Sequence, residues 1–244
     1  MKKSSLELET NPEITGQGNL EAKNEEGSLI LIDKPLGYSS AKVVNILKKR
    51  LNIKKAGHSG TLDPKATGLL VICTGRKTKE LNNLLDVDKE YEGVLVLGGK
   101  TKSFDTESEV YDEKNTGGIT DEMILETAKS FVGESQQLPP MFSAVKFKGK
   151  PLYKYARKDK EIERGTRTIN IQEFEITNIC LPEVTFRVCC SKGTYIRTLA
   201  NDLGEKLGVG AYLKSLRRTR IGEYDVKDAA ELDEFIKQNR QDRD

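Results

Sequence analysis

The stretch GHSGTLDPKATGLLVICT, residues 57–74, joins a glycine-rich loop directly to a run of aliphatic residues. The run at 69–74 predicts a buried strand, and the glycines and the Asp-Pro pair before it predict a turn. A loop held closely against a buried strand is a common place for functional side chains. Asp63 is therefore the first candidate for a nucleophile or base. An aspartate before proline often only caps a backbone group, and that reading stays open here.

Hydrophobic patterns on either side of this stretch predict further strands and helices. Tyr91 to Leu97 alternates as a strand with one better-buried face does, and Thr120 is expected to cap a helix that continues to Phe131. The other predicted strands are 28–33, 142–147, 166–177, 184–190 and 217–224, and the other predicted helices are one capped by Ser40, Thr78 to Leu85, 194–207 and 228–237. The order lacks strict βαβ repetition, which favours an α/β protein of the α+β type, with a mixed, mainly antiparallel sheet and helices packed on it.

Charge is unevenly distributed along the 244 residues, whose net charge is +2. Three lysines and six glutamates give residues 1–27 a charge of −3, which leaves +5 for the remainder. We expect 1–27 to be a flexible acidic tail, 28–237 to be one catalytic domain, and 238–244 to be a C-terminal tail. A mildly basic body suits an anionic partner that binds at a defined site.

Several classes of protein are excluded by what the sequence lacks. No aliphatic run approaches the ~20 residues of a membrane-spanning helix, and the first residues do not form a secretory signal, so we expect a cytoplasmic protein that does not enter membranes. The single histidine, His58, excludes a metal site built on two histidines, and we expect no metal. Four cysteines without a C-x-x-C pair are expected to be small buried residues.

Three other segments carry charges that could be functional or merely solvated. Tyr195 and Arg197 lie in KGTYIR (192–197), with Thr194 as the expected helix cap, and form either an anion clamp or a core-edge tyrosine and a surface arginine. Basic residues alternate with aromatics between Lys146 and Lys160, as in a surface that tracks phosphates and stacks bases. A smaller basic cluster, with the same ambiguity, contains Lys214, Arg217, Arg218 and Arg220.

Together these segments resemble the TruB family of tRNA pseudouridine synthases. The resemblance runs from about Leu29 to Tyr224, and its anchors are KPLGYSS (34–40), GHSGTLDPKATGLL (57–70), the Lys89-Glu90-Tyr91 strand start, PPMFSAVKFKGKPLYKYAR (139–157) and SKGTYIRTLANDLGEKLG (191–208). It implies the pseudouridine synthase fold, with a cleft across the middle of the sheet, and isomerisation of uridine 55 in the T-loop of tRNA.

The resemblance also implies roles for individual residues. Asp63 is the expected nucleophile, Tyr91 stacks on the target base and takes part in proton removal, and Arg197 pairs with the catalytic carboxylate and lowers its pKa. The expected substrate-binding residues are His58, Tyr91, Tyr195, Leu216, Lys34 and Lys79. Ser59 replaces the usual threonine of the loop, with little expected effect.

The chemistry that the resemblance implies needs no cofactor, because the same base leaves and rejoins the ribose without redox change. The expected partner is the T-arm of tRNA, gripped by a basic thumb insertion at about 142–165, and the expected state is a monomer without a PUA domain. Two other functions stay open: a tRNA-binding or chaperone protein without catalysis, and a hydrolase using Ser59 and His58. The hydrolase is disfavoured because adjacent side chains in a loop seldom align for proton transfer.

Overall fold

A computed structural model describes residues 14–15 and 27–240 of the chain. Its helices are α1 Ser40–Arg50, α2 Leu81–Asp86, α3 Asp121–Lys129, α4 Tyr153–Ala156, α5 Ile196–Lys206 and α6 Leu232–Arg240, with 3-10 turns at Gly75–Lys79 and Val226–Asp228. Its strands are β1 Ile14–Thr15, β2 Leu29–Lys34, β3 Ala56–His58, β4 Ala66–Thr74, β5 Lys89–Leu97, β6 Lys100–Thr101, β7 Val110–Tyr111, β8 Gly133–Gln137, β9 Lys146–Phe147, β10 Lys150–Pro151, β11 Arg167–Cys180, β12 Glu183–Cys190, β13 Ala211–Ile221, β14 Tyr224–Asp225 and β15 Ala230–Glu231.

Eleven of the described strands form one mixed sheet. The central path runs β1-β2-β4-β13-β5-β12-β11-β8, while β3, β14 and β15 pair with β4, β13 and β2 respectively. The β4–β13 pair is parallel, as are β1 and β15 against β2, and the remaining pairs are antiparallel. The predicted mixed, mainly antiparallel sheet with helices is therefore confirmed.

Two clusters of buried apolar residues attach the helices to this sheet. In one, Leu199 and Leu203 of α5 and Ile124 of α3 pack with Leu95 of β5 and Phe186 of β12. In the other, α1 and α6 pack against β2 and β4 through side chains that include Leu47, Phe235, Ile32 and Leu70. The parallel contact of β4 with β13 joins these two halves at the centre of the sheet.

Several predicted boundaries are wrong. Ser39, not Ser40, caps α1: its side chain accepts the Lys42 amide, while Ser40 is buried. Thr194 does not cap α5, because its hydroxyl donates to the Ser191 carbonyl and the helix begins at Ile196. Serine and threonine next to a helix start all fit the pattern, and backbone direction decides which one caps.

Some strands carry no pattern that reveals them. Only Lys146–Phe147 of the predicted strand 142–147 is a strand, whereas the unpredicted β8, GESQQ, pairs with β11 because tertiary contacts supply its partner. Strand β13 begins at Ala211 rather than 217, and the expected helix at Thr78 starts as a 3-10 turn. A polar edge strand has no buried face, so alternation does not mark it.

The terminal predictions are only partly within the described residues. Ile14–Thr15, inside the predicted tail, pairs in parallel with Leu29 and Ile30, and α6 continues through Arg240 into the predicted C-terminal tail. The rest of 1–26 and residues 241–244 lie outside the described residues. Cys73 and Cys190 are buried as expected, but Cys189 is half-buried and Cys180 is exposed.

Candidate active site

The loop between β3 and β4 is fixed on both sides of Asp63. The buried Ser40 hydroxyl accepts a hydrogen bond from the Leu62 amide at 2.8 Å and donates to the Leu62 carbonyl at 3.1 Å. On the other side, the Gly37 amide donates to the Pro64 carbonyl at 2.8 Å. Both anchors lie in the KPLGYSS segment, so the first motif of the sequence holds the second in place. Asp63 is thereby presented from a rigid backbone.

Arg197 lies against Asp63 and is itself held from several directions. Its Nη2 is 2.9 Å from Asp63 Oδ2. The guanidinium also donates to the carbonyls of Ser103 at 2.9 Å and Phe142 at 2.7 Å. Its Nε is 3.6 Å from Oδ2 of Asp105, a buried carboxylate that accepts a hydrogen bond from Ser103 Oγ. Arg197 therefore bridges two carboxylates and cannot turn away from Asp63 without losing buried hydrogen bonds.

Arg197 lowers the pKa of Asp63, as expected, but burial has the larger effect. Burial by the cavity walls raises the pKa of this carboxyl above its ordinary value. Arg197 acts in the opposite direction but does not cancel the effect of burial, and Asp105 raises the pKa further. Even so, 43% of the Asp63 side chain remains open to solvent and to substrate. The carboxylate is thus accessible to a substrate in the cavity.

Tyr91 faces the same cavity from β5, where Arg218 of β13 lies directly opposite it. Burial raises the pKa of the Tyr91 phenol, and the neighbouring Arg218 guanidinium acts in the opposite direction. Arg218 is 1% exposed. The phenol is therefore neutral in the free protein near pH 7.

These residues enclose a cavity of about 270 Å³, which has room for one nucleoside. The predicted residues that line it are Asp63, Tyr91, Tyr195, Arg197 and Leu216. It lies where the loop before β4, strands β5 and β13, and the turn before α5 meet, at the centre of the sheet. The predicted central cleft is in this position.

The other three predicted residues do not line the cavity. Lys34 is buried and donates to the carbonyls of Pro35 and Tyr38, and burial lowers its pKa to about 8. It therefore holds the turn whose Gly37 amide binds the loop of Asp63. His58 is half-buried at the end of β3, and burial lowers the pKa of its ring. Lys79 is exposed at the end of the 3-10 turn and is not brought to the site.

Three charged residues of the site were not predicted as such. Asp105 carries no motif, and only the fold brings it to Arg197. Lys89 lines the cavity and donates to the carbonyls of Leu85 and Val87. Arg218 belongs to a basic cluster, and register shifts along β13 keep simple alternation from marking it as the inward-facing member. Within residues 14–15 and 27–240, no group of three histidine, cysteine or acidic side chains could hold a metal ion.

A mixed sheet with this cavity at its centre is the architecture of a pseudouridine synthase. Residues 48–196 match the model of the "TruB family pseudouridylate synthase (N terminal domain)", and residues 197–244 match the "tRNA pseudouridylate synthase B C-terminal domain". The chain therefore belongs to the TruB family of tRNA pseudouridine synthases.

Individual relatives agree with this assignment. The chain is 50% identical to a tRNA pseudouridine synthase B of Chlorobaculum tepidum, with 90% of this chain and 94% of the relative covered. It is 50% identical to that of Flavobacterium johnsoniae, with 86% and 95% covered. Among solved structures, a chain of a Cbf5-Nop10-Gar1 complex superposes with a TM-score of 0.68 at 32% identity, over 93% of this chain and 60% of the other.

Proposed function

We propose that the protein converts uridine 55 in the T-loop of tRNA to pseudouridine, with Asp63 as the nucleophile. The observation that carries the proposal is the contact between Asp63 and Arg197 in a cavity of nucleoside size that Tyr91 also lines. The reaction breaks the N1–C1′ bond, turns the base and joins it through C5. It needs no outside reactant, because the same base leaves and rejoins the ribose.

Asp63 suits this role through its position and its charge. Its raised pKa makes the carboxylate more basic than an exposed aspartate, while Arg197 favours its ionised form. Addition to the pyrimidine ring, attack at C1′ and removal of a proton from the ribose would all use the same oxygen atoms. The fixed Arg197 orients the carboxylate in each case.

A uridine within the folded T-loop must leave its stack before it can enter the cavity. The ring of Tyr91 is available to replace the lost stacking, which is worth about 1–3 kcal/mol per base. Leu216 and Tyr195 also line the cavity. His58 is two residues before Gly60, which lines the cavity. We assign His58 a contact with the T-loop rather than a proton-transfer step.

The basic thumb at about 142–165 is the surface that we assign to the T-arm. Lys146, Lys148 and Lys150 are exposed on the hairpin of β9 and β10, and Phe147 at its tip is 36% exposed. At the base of the thumb, the Phe142 carbonyl contacts Arg197. This contact supports the assignment of the thumb to phosphates beside Asp63 and Arg197. We further propose that the enzyme acts as a monomer in the cytoplasm, where its substrate is found.

The test is tritium release from C5-labelled uridine in an unmodified tRNA transcript, with EDTA present. We expect one equivalent of tritium from the wild-type protein, and none from a transcript in which uridine 55 is replaced by cytidine and other uridines keep their label. Release from both transcripts would contradict the choice of position. Tight binding of tRNA without any release would favour the non-catalytic alternative.

A further inference from the structure

Arg218 is the largest fully buried side chain of the described structure and carries a full charge into the cavity wall. Among the described residues, no carboxylate forms a salt bridge with it. Its Nε donates to the Leu69 carbonyl at 2.8 Å and its Nη2 to the Gly60 carbonyl at 3.4 Å. A buried charge that lacks an opposite charge is costly, so it is expected where the charge has a use.

Tyr91 lies directly opposite Arg218 across the β5–β13 pair, and both residues line the cavity. A guanidinium has five donors and no acceptor, so in a hydrogen bond between the two side chains the phenol oxygen must be the acceptor. The hydroxyl hydrogen of Tyr91 is then directed away from Arg218. Asp63 lines the same cavity, so the phenol and the carboxylate face one bound substrate.

We propose that Arg218 is a positioning residue of the proposed reaction, which fixes the Tyr91 hydroxyl so that its hydrogen points to the substrate. This proposal rests on the proposed function. With Arg218 in place, the phenol presents a donor to the carboxylate or the uracil. Without it, the hydroxyl can turn away, although the ring still stacks on the base.

A double-mutant cycle on single-turnover tritium release tests the proposal. Tyr91→Phe keeps the ring and removes the hydroxyl, and Arg218→Met keeps most of the volume and removes the donors. We expect each to slow the reaction by about a hundredfold, the usual effect of losing one preorganised donor. The double variant should be no more than about threefold slower than the slower single variant, because both changes remove the same interaction. The dissociation constant for tRNA should stay within about twofold.

Arg217→Met is the matched control, because Arg217 neighbours Arg218 but pairs with Asp33 outside the cavity. Arg217→Met should reduce the rate of tritium release only slightly. In the double variant with Tyr91→Phe, the two rate reductions should multiply. Losses that multiply for Arg218→Met and Tyr91→Phe would overturn the proposal and leave Arg218 as a support for the two carbonyls. A wild-type protein that releases no tritium would instead contradict the proposed function itself.

A second measurement leaves Arg218 intact and therefore also serves if Arg218→Met does not fold. Tyr91→Phe removes the acceptor of a buried donor, and we expect its unfolding midpoint to fall by about 5 °C. Tyr195→Phe is the control in the same cavity, since the structure shows no hydrogen bond to the Tyr195 hydroxyl in the described part of the chain. An unchanged unfolding midpoint for Tyr91→Phe would show that Arg218 makes no stabilising hydrogen bond to the phenol, and would overturn the proposal.

Discussion

Replacing Asp63 by asparagine separates the chemical role of this carboxylate from any structural role. The amide has nearly the same shape as the carboxylate but cannot act as a nucleophile. Removing a residue of this kind typically costs about 10⁴-fold or more in turnover. We expect Asp63→Asn to fall below detectable tritium release in the transcript assay, while its affinity for tRNA remains close to that of the wild type.

The structure also fixes the expected effect on stability. The ion pair of Asp63 with Arg197 is partly open to solvent, with 43% of the Asp63 side chain exposed, and pairs of this kind contribute about 0–1 kcal/mol. Arg197 keeps Asp105 and both carbonyls after the change. Because the pKa of Asp63 is raised in the folded protein, its ionised form opposes folding above the ordinary pKa of an aspartate, and stability from this group increases as the pH falls. Asparagine removes that opposition, so the unfolding midpoint at pH 7 should be unchanged or slightly higher.

The measurements are single-turnover tritium release, filter binding of tRNA and thermal unfolding. Asp33→Asn is the matched control, since Asp33 pairs with Arg217 outside the cavity. It should keep the rate within about twofold while losing the usual contribution of a partly exposed ion pair. Activity of Asp63→Asn within tenfold of the wild type would refute the nucleophile assignment. A loss of several kcal/mol would instead show that Asp63 is a structural anchor.

Three further changes probe the support of the site. Asp105 raises the pKa of Asp63, so Asp105→Asn should move the acid limb of the pH–rate profile to lower pH. Glu107 contributes less to that pKa, so Glu107→Gln should move the limb less. An unmoved limb in Asp105→Asn would contradict this account. Ser40→Ala leaves the Leu62 amide and carbonyl without their partner, so the free energy of unfolding should fall by about 1–3 kcal/mol and turnover should decline, whereas Ser39→Ala should cost about 1 kcal/mol through its cap and leave turnover unchanged. Replacing Lys146, Lys148 and Lys150 by glutamine should reduce the slope of log Kd against log salt concentration by about 0.7–0.9 for each lysine that contacts a phosphate. An unchanged slope would show that the thumb lysines do not bind the RNA.

Arg197 contacts backbone from two segments, the base of the thumb and the loop between β6 and β7. Phe142 at the base of the thumb and Ser103 on the neighbouring loop both supply carbonyls to its guanidinium. Further out, Arg157 of the thumb pairs with Glu107 and Lys102 pairs with Asp159, so the same two segments also meet at the surface. Under the proposed function, Arg197 thus rests on backbone from the segments that would meet the RNA.

The sequence by itself determined the motifs, the class of fold and five of the residues that line the cavity. Motifs could do this because the loop of Asp63 and the turn before α5 are local structures, whose glycines and aspartate-proline pair act over a few residues. Alternation and helical spacing likewise predicted β2, β5, β12 and α5 closely. The sequence could not show whether Lys79 reaches the cavity, because that depends on the direction of the 3-10 turn Gly75–Lys79 in the folded protein.

Only the tertiary structure decided which charges meet. Asp105 is 42 residues from Asp63 and carries no pattern of its own, yet both contact Arg197. Composition could not show which residue of the basic cluster on β13 faces the cavity. The β5–β13 register places Arg218 opposite Tyr91, whereas Arg217 pairs with Asp33. Burial, which raises the pKa of Asp63 despite Arg197, is likewise a property of the assembled walls. Desolvation and pairing depend on what surrounds a group in space, and neighbours along the chain do not specify that.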